Sequence, residues 1–313
     1  MSATVVATAF GGPEVLAVRD LDVTDPGQGE VVVDFHAVGV NPVEYKTYSG
    51  AMGSDESTLP MRLGNEGAGV IVAVGPDTTG PAGPLAVGDE VVVFRGVGTY
   101  SARSVQPASA VVPKPSALSW EVAAGMLLTA TTAHDGLEVV GITADDTLLV
   151  HGASGAVGLA VVQLARLAGA RVIGTAREEN HGFLREIGAE PVAYGDGLLD
   201  RVRELAPDGV TVAYDAVGTD EAVDVSLALV EDRTRIVTIA AFGRAESDGF
   251  RSIGGGDPES SRRRDAARTD LLALAADGRL RTPIARTFAL SDVTTAHTEL
   301  QRSHPIGKFV LLP

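Results

Sequence analysis

Apolar residues along this chain fall into two arrangements, and the change from one to the other divides the sequence. Up to about residue 117, short apolar runs at 30–38, 69–74 and 90–94 are separated by turn signals. Such spacing is typical of a small β-barrel or sandwich. From Trp120 onward, apolar strands alternate with stretches of helical periodicity. Repeated β–α–β units of this kind predict a doubly wound parallel sheet.

The second arrangement predicts a defined succession of elements. Strands are predicted at 147–151, 171–175, 191–194, 210–214 and 235–239, and helices at 156–168, 179–187 and 219–230. Residues 243–265 then interrupt the pattern, and two interpretations stay open: a solvent-exposed connection, or a mobile lid over a cleft. Beyond them come a predicted helix at about 266–277, a strand at 284–290, a helix at 291–302 and a strand at 307–312, which can return to the first domain.

Composition narrows the functional class. The 313 residues are enough for two domains. The chain has no cysteine, which excludes disulfides, thiolate catalysis and a cysteine-ligated metal and favours a cytoplasmic protein. A formal charge of −16 repels nucleic acids and anionic membranes, and no apolar run approaches the roughly 20 residues that span a bilayer. The three arginines at 262–264 are therefore predicted to form a solvated face.

The run at 151–158, with the sequence HGASGAVG, is the strongest chemical signal in the chain. It follows the predicted strand at 147–151 and opens the predicted helix at 156–168. Strand, glycine turn and helix together place free backbone N–H groups and a helix N-terminus against a pyrophosphate. We therefore predict dinucleotide binding through the loop residues Ser154, Gly155, Ala156 and Val157.

The residues after the next predicted strand indicate which dinucleotide binds. An acidic residue there would bind the adenosine ribose hydroxyl of NADH, but the chain has Thr175, Ala176 and Arg177. A hydroxyl followed by a guanidinium suits a 2′-phosphate, which favours NADP(H). Tyr194, at the end of the following predicted strand, is placed to reach the same phosphate. The alternative is an exposed Arg177 at a strand end and a Tyr194 that only packs.

Two later turns complete the predicted cofactor site. Ligands of doubly wound sheets lie beyond the carboxyl ends of the strands, so the backbone near Val217, Ala240 and Phe242 is expected to face the nicotinamide or its ribose. No metal site is predicted, because the histidines have no metal-ligand spacing. These histidines are His36, His134, His151, His181, His297 and His304.

Several segments of the chain resemble the medium-chain dehydrogenase/reductase superfamily, in its zinc-independent quinone oxidoreductase branch. In chain order, the matching segments are Asn41-Pro42-Val43-Glu44, the stretch at 64–69 with Val74-Gly75, Val87-Gly88-Asp89, the glycine run at 151–158, Asp215-Ala216-Val217-Gly218 and Gly307-Lys308. Zinc-dependent relatives have a catalytic histidine where this chain has Asn65. The resemblance therefore implies an enzyme without catalytic zinc.

The resemblance also implies an architecture and further site residues. An α/β fold is expected, with a GroES-like β-barrel catalytic domain from residues 1–117 and 256–313 around an inserted doubly wound Rossmann domain at 118–255. Asn41 is implied to lie near the nicotinamide ribose, and Tyr45, Lys46 or Tyr48 to border the substrate, where a phenol can donate a proton. Thr129, in the stretch 129–132, is implied to face the cofactor, with helix packing as the alternative. A homodimer is implied as well.

Our leading hypothesis is a zinc-free, NADPH-dependent reductase of quinones or α,β-unsaturated carbonyls, with a small-molecule substrate and no nucleic-acid or membrane partner. Within the enzymes, a zinc-free alcohol dehydrogenase or carbonyl reductase is the alternative. Outside them, the resemblance covers lens structural proteins and RNA binders, so a non-catalytic cofactor-binding protein stays open. The charge of −16 argues against RNA.

Overall fold

A computed structural model describes residues 1–302 and 305–313 of the chain. Two compact units are present: the first comprises Met1–Leu128 with Thr282–Pro313, and the second comprises Thr129–Arg281. The boundaries predicted from the sequence lie after residues 117 and 255 instead. The difference at the second boundary arises because the helix Pro258–Ala276 belongs to the second unit. His304 lies outside the described residues.

The helices and strands are numbered in chain order. Strands β1 to β18 are Ser2–Ala7, Leu16–Leu21, Glu30–Val40, Met61–Arg62, Glu66–Val74, Thr79–Gly80, Gly83–Pro84, Glu90–Phe94, Arg103–Pro107, Val111–Pro113, Thr147–His151, Arg171–Thr175, Glu190–Val192, Val212–Asp215, Ile236–Thr238, Arg251–Ser252, Ile284–Ala289 and Lys308–Leu312. Helices α1 to α9 are Pro42–Tyr48, Trp120–Val139, Ala156–Leu167, His181–Glu186, Leu198–Leu205, Asp220–Leu229, Phe242–Asp248, Pro258–Ala276 and Val293–Arg302.

The first unit is built on a mainly antiparallel sheet. Its strand order is β10-β8-β5-β3-β18-β17, and β9 also pairs with β3. Alternate residues of β3, among them Val31, Val33 and Phe35, enter the apolar core, as expected for a sheet with one buried face. Because β18 pairs with β3 through Phe309 and Val40, the C-terminal segment completes the sheet that the N-terminal residues begin. The predicted construction from both chain ends is confirmed.

The second unit contains a parallel sheet in the order β13-β12-β11-β14-β15-β16. Its central strands read as continuous apolar runs because both faces are buried: Leu148, Leu149 and Val150 of β11 have no exposed surface. The order reverses direction at β11, so the carboxyl ends of β11 and β14 lie at a topological switch point, where open α/β sheets bind ligands. The prediction of a parallel α/β fold is confirmed.

Residues 243–265, for which a connection and a lid were both considered, consist largely of regular secondary structure. Residues 242–248 form α7, and α8 begins at Pro258, about eight residues before the predicted start. The Asp257 carboxylate caps α8 by accepting from the backbone N–H groups of Glu259 and Ser260, and proline is favoured in a first helical turn. In the described parts of the chain, no helix is long and apolar enough to cross a membrane.

Candidate functional site

Three glycines shape the turn between β11 and α3 in the second unit. Gly152 has φ +73, in the left-handed region that favours glycine. Gly155 is the N-cap residue of α3, and its N–H donates to the Gly152 carbonyl at 3.0 Å. A Cβ at Gly158 would overlap the Gly152 carbonyl oxygen and lie 2.7 Å from the Ala153 Cα. The turn is therefore tight enough to present the first N–H groups of α3, which have no partner within the helix.

The four predicted loop residues Ser154, Gly155, Ala156 and Val157 are all half-buried at this turn. Thr175 stabilises the turn through two hydrogen bonds. Its hydroxyl accepts from the Gly152 N–H at 3.1 Å, its carbonyl accepts from the Ala153 N–H at 3.0 Å, and its side chain is buried. The structure therefore gives Thr175 a role in holding the loop, whereas the sequence placed it on a phosphate.

Arg177 and Tyr194 lie side by side beyond the ends of the neighbouring strands β12 and β13. The Arg177 Nε donates to the Tyr194 hydroxyl at 3.2 Å, and both side chains are largely exposed. The Glu179 carboxylate lies 3.7 Å from the Arg177 Nη1. A guanidinium with free donors beside a phenol can bind an anion with charge-assisted hydrogen bonds. The structure thus brings together the two residues that the sequence pairs.

A buried hydrogen-bond network orders the turns after β14 and β15. The Asp215 carboxylate accepts from the N–H groups of Val217 and Gly218 at 2.9 and 2.8 Å, and from the Thr238 hydroxyl at 2.6 Å. The same hydroxyl accepts from the Ala240 N–H at 3.0 Å. Val217 follows β14 and Phe242 follows β15, and the side chains of both residues are exposed. Thr238 was missed from the sequence, because its role depends on the carboxylate of a neighbouring strand.

His151 closes β11 with a buried ring whose Nε2 makes no hydrogen bond to any described residue. Burial lowers its pKa to about 4, against the opposing effect of Asp215. The ring is therefore neutral at physiological pH. Thr129, on α2, is also buried in this unit, in keeping with the helix-packing alternative.

In the first unit, Asn41 belongs to a buried network with Glu66 and Lys308. The Glu66 carboxylate accepts from the Asn41 Nδ2 at 3.0 Å, the Lys308 ammonium at 3.1 Å and the Leu128 N–H at 2.9 Å. The Lys308 ammonium also donates to the Asn41 Oδ1 and to the Val40 carbonyl. Both ends of the Asn41 amide are therefore engaged, and its orientation is determined by a carboxylate on one side and an ammonium on the other.

Glu44 joins this network at the start of α1. One of its carboxyl oxygens accepts from the Asn41 N–H at 2.8 Å, the reciprocal contact of a capping box, and the other accepts from the Asn65 Nδ2 at 2.9 Å. Burial raises the pKa of Glu44 from 4.5 to about 7, and the Asn65 amide and the Lys308 charge offset only part of this effect.

We expect Glu44 to make the protein less stable as the pH rises. Its folded-state pKa lies above its unfolded value, so the folded state binds more protons between pH 4.5 and 7. The free energy of unfolding should fall through this window, by on the order of 3 kcal/mol. Urea unfolding at several pH values tests this, with Glu44→Gln as the comparison. The slope should be reduced in E44Q, and an identical slope would show that another group is responsible.

Tyr48 lies in the core of the first unit, where its hydroxyl has two polar neighbours. It contacts the His297 Nδ1 at 3.2 Å and accepts from the Gln301 Nε2 at 3.3 Å, while the Tyr100 hydroxyl meets the His297 Nε2 at 3.3 Å. Burial raises the pKa of Tyr48 and lowers that of His297 to about 4. This arrangement favours a structural role for Tyr48. Tyr45 is half-buried and packs against the same core.

Two of the arginines at 262–264 and two of the histidines named above have structural partners in the fold. The prediction of a solvated face at 262–264 is wrong for two of the three arginines, because Arg263 and Arg264 contact the buried Asp135. His36 stacks on Trp120, and His181 contacts the Ala176 carbonyl at 3.2 Å. Within residues 1–302 and 305–313, no three His, Cys, Asp or Glu side chains are grouped as metal ligands.

Comparison with known proteins gives consistent matches. The model of the alcohol dehydrogenase GroES-like domain matches residues 27–116, and that of zinc-binding dehydrogenases matches residues 156–254. A quinone oxidoreductase of Pseudomonas aeruginosa is 33% identical over 336 residues, which covers 100% of both chains.

Solved structures match over the whole chain. The quinone oxidoreductase of Escherichia coli, complexed with NADPH, has a TM-score of 0.88 and 27% identity, covering 99% of this chain and 100% of that one. A structure described as an NAD-dependent alcohol dehydrogenase has a TM-score of 0.87 and 29% identity, covering 100% of both chains. The fold is therefore a GroES-like domain with a Rossmann-like parallel sheet.

Proposed function

Since this chain belongs to the medium-chain dehydrogenase/reductase family, in its quinone oxidoreductase branch, and is an oxidoreductase, we propose that it uses NADPH to reduce a quinone or an α,β-unsaturated carbonyl compound. The Arg177–Tyr194 pair beside the glycine turn carries the NADPH assignment. The quinone oxidoreductase relatives support the substrate class.

The residues of the second unit fit such a cofactor. The N–H groups of Ser154, Gly155, Ala156 and Val157 would hold the pyrophosphate, and the tight packing at Gly158 keeps the turn in the shape that presents them. Arg177 and Tyr194 would hold the 2′-phosphate. NADPH, when bound, supplies the hydride, and the protein contributes binding, orientation and exclusion of water. The ordered turns at Val217 and Ala240–Phe242 would orient the nicotinamide end through their backbone.

We expect Arg177→Ala to weaken NADPH binding by about 10- to 100-fold, because it removes charge-assisted hydrogen bonds worth about 1.5–3 kcal/mol. Its effect on NADH, which has no 2′-phosphate, should be less than about twofold. Fluorescence titration of the nicotinamide with both cofactors measures this.

Arg185→Ala is the matched control, because it removes the same charge from an exposed position on the following helix, α4. It should leave the ratio of NADPH to NADH affinity unchanged. Tighter binding of NADH than of NADPH by the unmodified protein would overturn the Arg177 assignment.

The first unit would supply the groups that face the substrate. We propose that Asn41 lies near the nicotinamide ribose, held in one orientation by Lys308 and Glu66. Of the two tyrosines considered as proton donors, Tyr45 is the better candidate, because the Tyr48 hydroxyl is occupied in the core. The donor completes the reduction by giving a proton to the developing enolate or quinol oxygen.

An acceptor screen with NADPH tests the substrate class directly. Oxidation of NADPH by quinones and enones, with simple aldehydes and ketones inert, is the expected result. The opposite preference would favour the alcohol dehydrogenase alternative, which the structural match to an alcohol dehydrogenase keeps in view. Tight NADPH binding with no turnover of any acceptor would indicate a non-catalytic protein. We further propose that the enzyme works as a cytoplasmic homodimer.

A further inference from the structure

The second unit contains a cluster of charged side chains that the proposed function does not use. Asp135, on α2, has no exposed surface, and its carboxylate accepts from the Arg263 Nε at 2.6 Å and the Arg264 Nε at 2.9 Å. The Ser260 hydroxyl, one turn earlier on α8, donates to the same carboxylate. We call Asp135, Ser260, Arg263 and Arg264 the arginine cluster.

The arginine cluster carries more positive than negative charge. Two guanidinium groups face a single carboxylate, and their side chains are only 16% and 11% exposed. Charges withdrawn from water are normally balanced by a partner, because an unbalanced one is costly to bury. Of the acids close to the cluster in sequence, Glu259 pairs with Arg262, Asp265 pairs with Arg268, and Glu138 contacts His134. Within the cluster itself, two guanidinium charges are thus set against one carboxylate charge.

Arg263 and Arg264 also have more hydrogen-bond donors than their contacts with Asp135 use. A guanidinium has five N–H donors, yet Arg263 and Arg264 each reach Asp135 through Nε alone. Their Nη groups make no hydrogen bond to any residue in the described part of the chain, and they are not sealed from solvent. Arg264 as a whole is nevertheless about nine-tenths buried. The Nη groups are thus accessible donors on side chains that packing and Asp135 hold in place.

We propose that Arg263 and Arg264 form a binding site for an oxyanion, a phosphate or carboxylate group, with Asp135 and Ser260 orienting the two guanidinium groups. The planar fork of arginine matches both kinds of oxyanion. A bound oxyanion would balance the remaining charge and accept from the Nη groups. The site is separate in sequence from the Arg177–Tyr194 pair, so its test does not depend on the proposed function.

Isothermal titration of the full chain with inorganic phosphate, and separately with acetate, at constant ionic strength tests the proposal. We expect binding of at least one of the two anions, and the tighter one identifies the class of oxyanion. Arg263→Gln and Arg264→Gln should each weaken it by about tenfold or more, the loss of one charge-assisted bond. Arg262→Gln is the matched control, because Arg262 lies on the same helix but is 70% exposed and paired with Glu259. Its effect should stay below about twofold.

Two further variants keep the test decisive. Arg177→Ala removes the cationic donor assigned to the 2′-phosphate of the cofactor, and the binding that depends on Arg263 and Arg264 should remain. If R264Q fails to give a folded protein by circular dichroism, Arg264→Lys replaces it and should weaken binding through loss of the fork. No binding of either anion, an equal loss in R262Q, or unchanged affinity in R263Q and R264Q would overturn the proposal.

Discussion

Replacing Lys308 by methionine is expected to lower the free energy of unfolding by about 3–5 kcal/mol, the usual cost of breaking a buried ion pair from one side. The Lys308 side chain is 3% exposed, and its partner Glu66 is 0% exposed. Methionine fills a similar volume but leaves the carboxylate of Glu66 without its cation and the Asn41 oxygen without a donor. Urea unfolding, followed by circular dichroism, measures the change.

Two variants separate the ion pair from the mere loss of a lysine. Lys46→Met removes the same group from an exposed position on α1, and its effect should stay within about 0.5 kcal/mol. Adding Glu66→Gln to Lys308→Met removes the unpaired carboxylate and should recover part of the stability, since buried pairs are costly chiefly when one partner is missing. If K308M unfolds like K46M, the network does not hold the first unit together.

Local patterns in the sequence predicted the parallel sheet closely, because its strands are defined by neighbouring residues. β12 begins and ends at 171 and 175 as predicted, since an apolar run lies between the helix-ending Gly169 and the polar Arg177. The glycine turn was predictable for the same reason: strand, turn and helix follow one another within a few residues.

Contacts between distant residues could not be predicted in the same way. The start of α8 was missed because Arg263 and Arg264 read as solvent-facing, whereas their partner Asp135 is 128 residues away from Arg263 along the chain. Helix α1 was not predicted from the sequence, although proline suits a first helical turn. Its capping carboxylate, Glu44, was the local signal that would have identified it.

The same difference between local patterns and distant contacts applies to the candidate site. Arg177 and Tyr194 were paired from their positions at the ends of successive strands, which a parallel sheet brings together. The surroundings of Asn41 were not predictable, because Lys308 is separated from it by 267 residues. Tyr48 was considered as a proton donor because the family resemblance implied it, and only the fold reveals the His297 that occupies its hydroxyl.

Gly158→Ala is expected to destabilise the second unit by about 1–3 kcal/mol and to abolish tight binding of NADPH. The added methyl group would overlap the carbonyl oxygen of Gly152 and crowd the Ala153 Cα at 2.7 Å. These are backbone atoms, which cannot rotate away as a side chain can, so the turn must open. Opening it moves the N–H groups at the start of α3 that would hold the pyrophosphate.

Gly182→Ala makes the same chemical change with the opposite expected sign. Gly182 is exposed within α4, and nothing lies within 4 Å of a Cβ built there. Alanine should stabilise that helix by about 0.5–1 kcal/mol and leave NADPH affinity unchanged. Thermal unfolding and nicotinamide fluorescence of both variants provide the comparison. If G158A unfolds and binds NADPH as G182A does, close packing at Gly158 is not what shapes the turn, and the pyrophosphate assignment loses its structural basis.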